Sequence, residues 1–153
     1  MIRSTLVYLI RGKAWLMLLR NRKDHDVNKG KWIGVGGKML LDESPEACAI
    51  RETFEETGYH CIPVFRGKLH FMYEGEEEEE IFVYTSEEFS GDFHPTDEGT
   101  LEWISQDRIL QLDLWPGDRL FLTRLLDHIP GPFAYRLEYS NHGELLKAEE
   151  EEL

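Results

Sequence analysis

Short apolar runs separated by polar residues predict a chain built mainly from strands. Two such runs, TLVYLI at 5–10 and AWLMLLR at 14–20, flank Arg11-Gly12-Lys13 and predict a hairpin. Two longer strands are predicted on either side of the acidic run EGEEEEE at 74–80, which is expected to form a solvated hairpin tip. The predicted strands after the first hairpin are 61–74, 80–89 and 99–105, followed by a closing hairpin at 133–146.

Two segments have the pattern of helices instead. Ser44 suits an N-cap, Pro45 the first helical position and Gly58 a C-terminal stop, so a helix is predicted over 45–57. A second amphipathic helix is predicted within 114–129, and its apolar positions are Leu122, Leu125, Leu126 and Ile129. A mixed sheet flanked by two helices is an α+β fold of the α/β/α sandwich type.

The first helix concentrates carboxylates on one side. At about 100° per residue, Glu52, Glu55 and Glu56 fall within an arc of roughly 100°. The buried side is expected to be the opposite one, with Ala47, Ile50, Phe54 and Thr57. Like charges this close repel one another, and a hard cation such as Mg²⁺ or Mn²⁺ reverses that penalty. The spacing therefore indicates either a metal site or a solvated acidic surface.

Composition and charge limit the partners. The 153 residues are expected to form one domain over 1–147, followed by an acidic tail at 148–153 that is expected to fray. With 17 Lys and Arg against 30 Asp and Glu, the net charge of −13 disfavours binding to a nucleic acid polymer. No apolar stretch approaches transmembrane length, so no membrane partner and a cytoplasmic location are expected.

The glycines that flank the acidic helix favour a metal site over a solvated acidic surface. The order Gly, five residues, Glu, seven residues, Arg-Glu-x-x-Glu-Glu-x-Gly resembles the signature of the Nudix hydrolases. Its fixed positions match here without a gap at Gly37, Glu43, Arg51, Glu52, Glu55, Glu56 and Gly58. Thr53 and Tyr59 occupy positions that are usually aliphatic in that signature.

The resemblance implies a Nudix fold with a loop–helix–loop catalytic unit and Mg²⁺-dependent cleavage of a nucleoside diphosphate linked to another group. At the matching positions, the resemblance implies that Glu52, Glu55 and Glu56 bind metal together with the carbonyl of Gly36, and Mn²⁺ is a possible substitute for Mg²⁺. Glu43 and Arg51 are structural, like the two signature glycines, and Lys38 meets a phosphate oxygen. The general base is either Glu52 or Glu98, and Glu98 resembles a downstream glutamate that MutT-type members add to the metal site.

The residues around the signature resemble the MutT-type branch, which removes oxidised purine nucleoside triphosphates such as 8-oxo-dGTP. This similarity implies that Trp115 stacks on the base and Asp118 hydrogen-bonds it, although Trp115 equally suits a buried anchor for the second helix. Two positions depart from the branch. Ile33 stands where an asparagine contacts the base, and Gly117 stands where relatives carry an aspartate, so weaker base discrimination is expected.

The expected function is hydrolysis of a nucleoside triphosphate to a nucleoside monophosphate and pyrophosphate by a monomer or weak homodimer. The small-molecule substrate is expected to be an oxidised purine nucleotide. Two alternatives remain open: a broad hydrolase of (d)NTPs or other nucleoside diphosphate derivatives, and a nucleotide-binding regulatory module without catalysis.

Overall fold

A mixed sheet forms the centre of the protein, seen in a computed structural model that describes residues 1–21, 26–95 and 97–153. Within those residues the sheet has eight strands in the order β3-β2-β1-β5-β4-β7-β8, with β6 also paired to β2. The strands are β1 (Ile2–Arg11), β2 (Ala14–Leu19), β3 (Trp32–Ile33), β4 (Tyr59–Tyr73), β5 (Glu79–Gly91), β6 (Thr100–Ser105), β7 (Phe133–Tyr139) and β8 (Leu145–Glu150).

The sheet is mixed because β1 runs parallel to β5 and β4 runs parallel to β7, while the other pairs are antiparallel. The predicted hairpins at 11–13, 74–80 and 141–143 join β1 to β2, β4 to β5 and β7 to β8. The predicted polar loop at 21–31 lies partly outside the described residues, since 22–25 are not among them.

Two helices cover opposite faces of the sheet. Helix α1 (Pro45–Thr57) packs on the face that receives Val7 and Leu9 of β1, and helix α2 (Asp118–Leu126) packs on the face that receives Leu6 and Tyr8. Because side chains alternate along a strand, each face has its own apolar core. This is the predicted α/β/α arrangement, and it packs each helix against a different apolar core.

Two element boundaries differ from the sequence-based expectation. Helix α2 spans Asp118–Leu126, so the prediction of Ile129 as one of its apolar positions was wrong. Pro116 precedes the helix, and His128, at φ +54°, turns the chain away before Ile129, which is 45% exposed. Strand β8 continues to Glu150 and pairs with β7, so residues 148–150 are in the sheet and only 151–153 lie beyond it. A 3₁₀ helix at Gln106–Gln111 was not predicted.

Among the residues described, no helix is both long and apolar enough to span a membrane.

Candidate active site

Local signals fix the ends of α1, as predicted. The Ser44 hydroxyl oxygen accepts a hydrogen bond from the Ala47 amide at 3.1 Å, and Pro45 opens the helix. Gly58 ends it in the left-handed region, at φ +83°, and its amide donates to the Phe54 carbonyl at 2.8 Å. With both ends fixed, the rotational position of each carboxylate around the helix axis is determined.

The face of α1 that packs on the sheet differs from the predicted one. Ile50 and Phe54 are 37% and 45% exposed, and Ala47 is exposed as well, so their predicted burial was wrong; only Thr57 is buried as expected. The buried positions of the helix are Cys48, Ala49, Thr53, Glu56 and Thr57. These side chains are small apart from Glu56, which lets the helix approach the sheet closely and carries one carboxylate inward with it.

Glu56 lies at the centre of the site. Its Oε2 accepts a hydrogen bond from the Gly36 amide at 2.6 Å, while its Oε1 is buried without a hydrogen-bond partner. The pKa of Glu56 is raised to about 9, mainly by burial and in addition by the negative charges of Glu98 and Glu52, against the lowering effect of the Gly36 amide. An acid held in this way binds either a proton or a cation in place of the proton.

Glu52 lies beside the glycine loop. A Cβ built on residue 37 would lie 2.5 Å from the Glu52 Cδ, so only glycine leaves room for this carboxylate. Burial raises the pKa of Glu52, with further contributions from the charges of Glu55 and Glu98. The structure therefore brings all four predicted carboxylates into one electrostatic cluster, which is named here the Glu52–Glu98 cluster and consists of Glu52, Glu55, Glu56 and Glu98.

Arg51 organises the outer side of this cluster. Its Nε and a terminal nitrogen donate to the two oxygens of Glu43 at 2.7 and 2.9 Å, and this pair joins the loop to the helix. The guanidinium also donates to Glu52 Oε1 at 2.9 Å, to Glu55 at 3.3 Å and to the Lys38 carbonyl at 3.2 Å. The two bonds that Arg51 donates to Glu43 lower the pKa of Glu43 to about 2, so the Glu43 carboxyl stays ionised.

The donor set suits a hard divalent cation. Carboxylate oxygens are the ligands Mg²⁺ prefers, and the unpartnered Oε1 of Glu56 is a buried acceptor that a cation would satisfy. Within the described part of the chain, no three His, Cys, Asp or Glu side chains are arranged to enclose an ion. Arg51 and Gly36 instead hold oxygens of Glu52, Glu55 and Glu56.

Lys38 follows the glycines on the same loop, and its side chain is exposed beside the cluster. It pairs with Ser4 of β1 through a single backbone bridge. Gly36 approaches β1 too: a Cβ there would lie 1.9 Å from the Thr5 carbonyl oxygen. The loop is therefore held against the sheet by its backbone, and the Lys38 ammonium is left available to an anion.

The three residues proposed to contact the base lie on the α2 face. Trp115 is 3% exposed, and its indole donates to Asn28 Oδ1 at 2.7 Å. Ile33 packs against the same core. Asp118 is buried at the start of α2, and burial raises its pKa to about 7. Ile33, Trp115 and Asp118 are thus on the α2 face, whereas Glu52, Glu55 and Glu56 belong to α1 on the opposite face.

Two tyrosines and an asparagine in this region were not singled out in the sequence. Burial raises the pKa values of Tyr8 and Tyr139, and the Asp118 charge adds to both shifts. The Tyr139 hydroxyl oxygen accepts from the Gly117 amide at 2.8 Å, and the Tyr8 hydroxyl is buried without a partner. Alternation along β1 placed Tyr8 on the α2 face, but no sequence signal connected β7 or the 26–31 loop to this region.

Comparison with known proteins is consistent with this geometry. The NUDIX domain family matches residues 2–125, so the chain belongs to the Nudix hydrolase family. Similar proteins include the oxidized purine nucleoside triphosphate hydrolase of Danio rerio, which is 28% identical over 124 residues, covering 80% of this chain and 78% of that protein. The uncharacterized Nudix hydrolase YvcI of Bacillus subtilis is 30% identical over 120 residues, covering 72% and 76%.

Solved structures of MutT proteins share the fold. A MutT protein from Bacillus halodurans superposes with a TM-score of 0.87 at 27% identity, covering 99% of this chain and 98% of that one. A MutT protein from Methanosarcina mazei superposes with a TM-score of 0.72 at 29% identity, covering 83% and 93%.

Proposed function

We propose that the protein is a Mg²⁺-dependent nucleoside triphosphate pyrophosphohydrolase that releases a nucleoside monophosphate and pyrophosphate, with oxidised purine nucleotides such as 8-oxo-dGTP as substrates. The observation that carries the proposal is the Glu52–Glu98 cluster around the unpartnered Oε1 of Glu56. The similar protein of Danio rerio, an oxidized purine nucleoside triphosphate hydrolase, supports this choice of substrate.

Glu52, Glu55, Glu56 and Glu98 are the side chains that would hold the cation, with the Gly36 carbonyl as a further ligand. When bound, a divalent ion neutralises phosphate charge and makes water a better nucleophile. Mn²⁺ is expected to substitute, because it accepts the same oxygen ligands.

The protein's own groups orient the reactants. Arg51 holds Glu52 and Glu55, and the Gly36 amide holds Glu56, so the carboxylates do not have to be ordered when substrate arrives. Lys38 offers its ammonium to a phosphate oxygen. Either Glu52 or Glu98 accepts the proton of the attacking water, and both lie in the cluster.

Base recognition depends on Asp118 and its surroundings. With a pKa of about 7, this carboxyl is partly protonated near neutral pH and is able to donate to an acceptor atom of a purine. Gly117 adds no second carboxyl, since a Cβ there would lie 2.6 Å from the Tyr139 hydroxyl oxygen. Ile33 adds no hydrogen bond either. One polar partner discriminates bases less than several do, so selectivity for 8-oxo-dGTP over dGTP is expected to be modest.

The test measures pyrophosphate release from 8-oxo-dGTP and the unmodified dNTPs and NTPs, and nucleoside monophosphate release from ADP-ribose and a dinucleotide, each with and without Mg²⁺. Metal-dependent turnover with preference for 8-oxo-dGTP supports the proposal in full. Equal turnover of all triphosphates keeps the chemistry and favours the broad hydrolase. Absence of turnover on every substrate contradicts the proposal and favours the nucleotide-binding module.

A further inference from the structure

A second cavity opens at the far end of α2, away from the Glu52–Glu98 cluster. It has a volume of about 690 Å³, within the range of small-molecule sites. Its walls come from the β1–β2 hairpin, from β4 and β5, and from the segment that follows α2. None of the four cluster carboxylates lines it, and its apolar wall belongs to the core on the α2 face. We name it the α2 cavity.

The walls of the α2 cavity combine aromatic and cationic groups. Trp15, Phe65 and Phe133 supply aromatic surface. The charged or titratable side chains that line it are Lys13, Arg66, Glu87, Arg124 and His128. Four of these five carry or can gain positive charge, in a chain whose net charge is −13. The cavity is therefore a local exception to the acidic surface.

Arg124 is a cation without a counter-charge in this cavity. Its Nε is buried without a hydrogen-bond partner, and no ion pair joins it to a carboxylate of the described residues. Glu150 and Glu151 line a smaller neighbouring cavity of about 120 Å³ that Arg124 also borders, yet they do not pair with it. The terminal nitrogens of Arg124 have no hydrogen bond or ion pair with another described residue, so they are the donors that an anion in the cavity would meet.

Arg66 adds a second guanidinium that is already oriented. Its Nε donates to the Thr85 hydroxyl oxygen at 2.7 Å, which leaves the terminal nitrogens as free donors of the fork. A guanidinium fork matches the oxygens of a phosphate group. Phe65 is 41% exposed and offers flat surface for stacking, while Trp15 and Phe133 are almost fully buried beneath the cavity. Glu87 is the one carboxylate in the lining and opposes an anion.

We infer that the α2 cavity is a binding site for a small aromatic phosphate ester, separate from the catalytic centre. The phosphate contacts Arg124 and Arg66, and the aromatic body lies against Phe65, above the buried rings of Trp15 and Phe133. Lys13 and His128 add positive charge at the rim. This site does not depend on metal, because none of its lining groups is a metal ligand of the proposed reaction.

The test is an NMR titration of the full ¹⁵N-labelled chain in EDTA with phenyl phosphate as probe. The Trp15 indole and Arg124 Nε signals are expected to shift saturably, while amides of α1 stay in place. Inorganic phosphate and phenol, which each carry one half of the probe, are expected to bind more weakly. Phenol binding as tightly as phenyl phosphate would contradict a role for charge.

Variants separate the cavity from a general charge effect. Arg124→Gln is expected to weaken phenyl phosphate binding about tenfold, as loss of one charge-assisted hydrogen bond does, measured at the Trp15 signal. Arg108→Gln removes the same charge at an exposed position outside the cavity and is expected to change nothing. Glu87→Gln is expected to tighten binding. Equal affinity in Arg124→Gln and wild type would overturn the inference, and Lys13→Gln replaces Arg124→Gln if that variant does not fold.

Discussion

Gly37 and Glu52 fit together because residue 37 has no side chain. A Cβ at residue 37 would lie 2.5 Å from the Glu52 Cδ and 2.6 Å from its Oε2. Gly37 is not among the residues with positive φ, so its backbone tolerates alanine. The glycine at this position of the signature is thus required by the carboxylate next to it and not by the turn of the chain.

Gly37→Ala is expected to displace the Glu52 carboxylate and to lower kcat while leaving the fold intact. Expressed as a free energy, the loss in kcat should exceed the loss in the free energy of unfolding. The reason is that the side chain of Glu52 yields to the new methyl group more easily than the backbone does. Steady-state kinetics and thermal unfolding of the same preparation check this. A variant with normal kcat would show that the position of Glu52 is unimportant for the reaction.

Arg51→Lys tests whether the guanidinium positions the carboxylates. Lysine keeps the charge but cannot bond Glu43 through two nitrogens and still reach Glu52, Glu55 and the Lys38 carbonyl. We expect a loss of roughly 10- to 100-fold in apparent Mg²⁺ affinity or activity, as found when groups that orient metal ligands are changed. A Mg²⁺ titration of activity measures it, and an unchanged titration curve would argue against this positioning role.

Glu55→Gln changes a member of the cluster whose side chain is 56% exposed. A neutral amide is a poor metal ligand. The fall in kcat should therefore exceed the roughly 10- to 100-fold loss found when a group that only orients a metal ligand is changed, and Tm should not change. Glu46→Gln, on the first turn of the same helix and outside the cluster, is the matched control and should keep full activity. Equal rates in the two variants would remove Glu55 from the catalytic set.

The Asp118 carboxyl predicts how stability changes with pH. Its pKa is about 7 in the folded protein against an ordinary value of 3.8, because burial disfavours its charge. The unfolded state therefore loses this proton first as the pH rises. The free energy of unfolding should then fall between about pH 4 and pH 7, with no further effect of this group above that range.

Asp118→Asn should abolish the fall in the free energy of unfolding between about pH 4 and pH 7. Asp127→Asn changes an exposed position after the end of the same helix and should leave this pH dependence as it is. Urea unfolding at a series of pH values, with each variant compared to wild type, measures the difference. If Asp118→Asn and wild type keep the same slope, the carboxyl is not held neutral by burial.

The sequence was sufficient to predict the position of α1 but not the way it faces. Its ends carry local signals at Ser44, Pro45 and Gly58, and these depend on neighbours in the chain alone. Both sides of the helix carry apolar residues, so periodicity could not decide which one packs. The choice depends on the small residues Cys48 and Ala49 and on the Gly36 amide, which belong to contacts made across the fold.

In the candidate site, too, local sequence patterns predicted some residues, while others come together only through contacts across the fold. The four carboxylates and Arg51 follow from one contiguous signature and one downstream glutamate, and the structure brings them together. The surroundings of Asp118 come from distant segments, because Tyr8 lies on β1 and Tyr139 on β7. No local pattern relates these residues, so their meeting is a property of the sheet order.

Cleavage to a nucleoside monophosphate and pyrophosphate is tested most directly by ³¹P NMR of 8-oxo-dGTP with Mg²⁺ and either the wild-type protein or Glu56→Gln. The wild type is expected to yield nucleoside monophosphate and pyrophosphate, whereas the folded Glu56→Gln variant is expected to leave the triphosphate unchanged. Nucleoside diphosphate and orthophosphate as products, or an undiminished rate in Glu56→Gln, would contradict it.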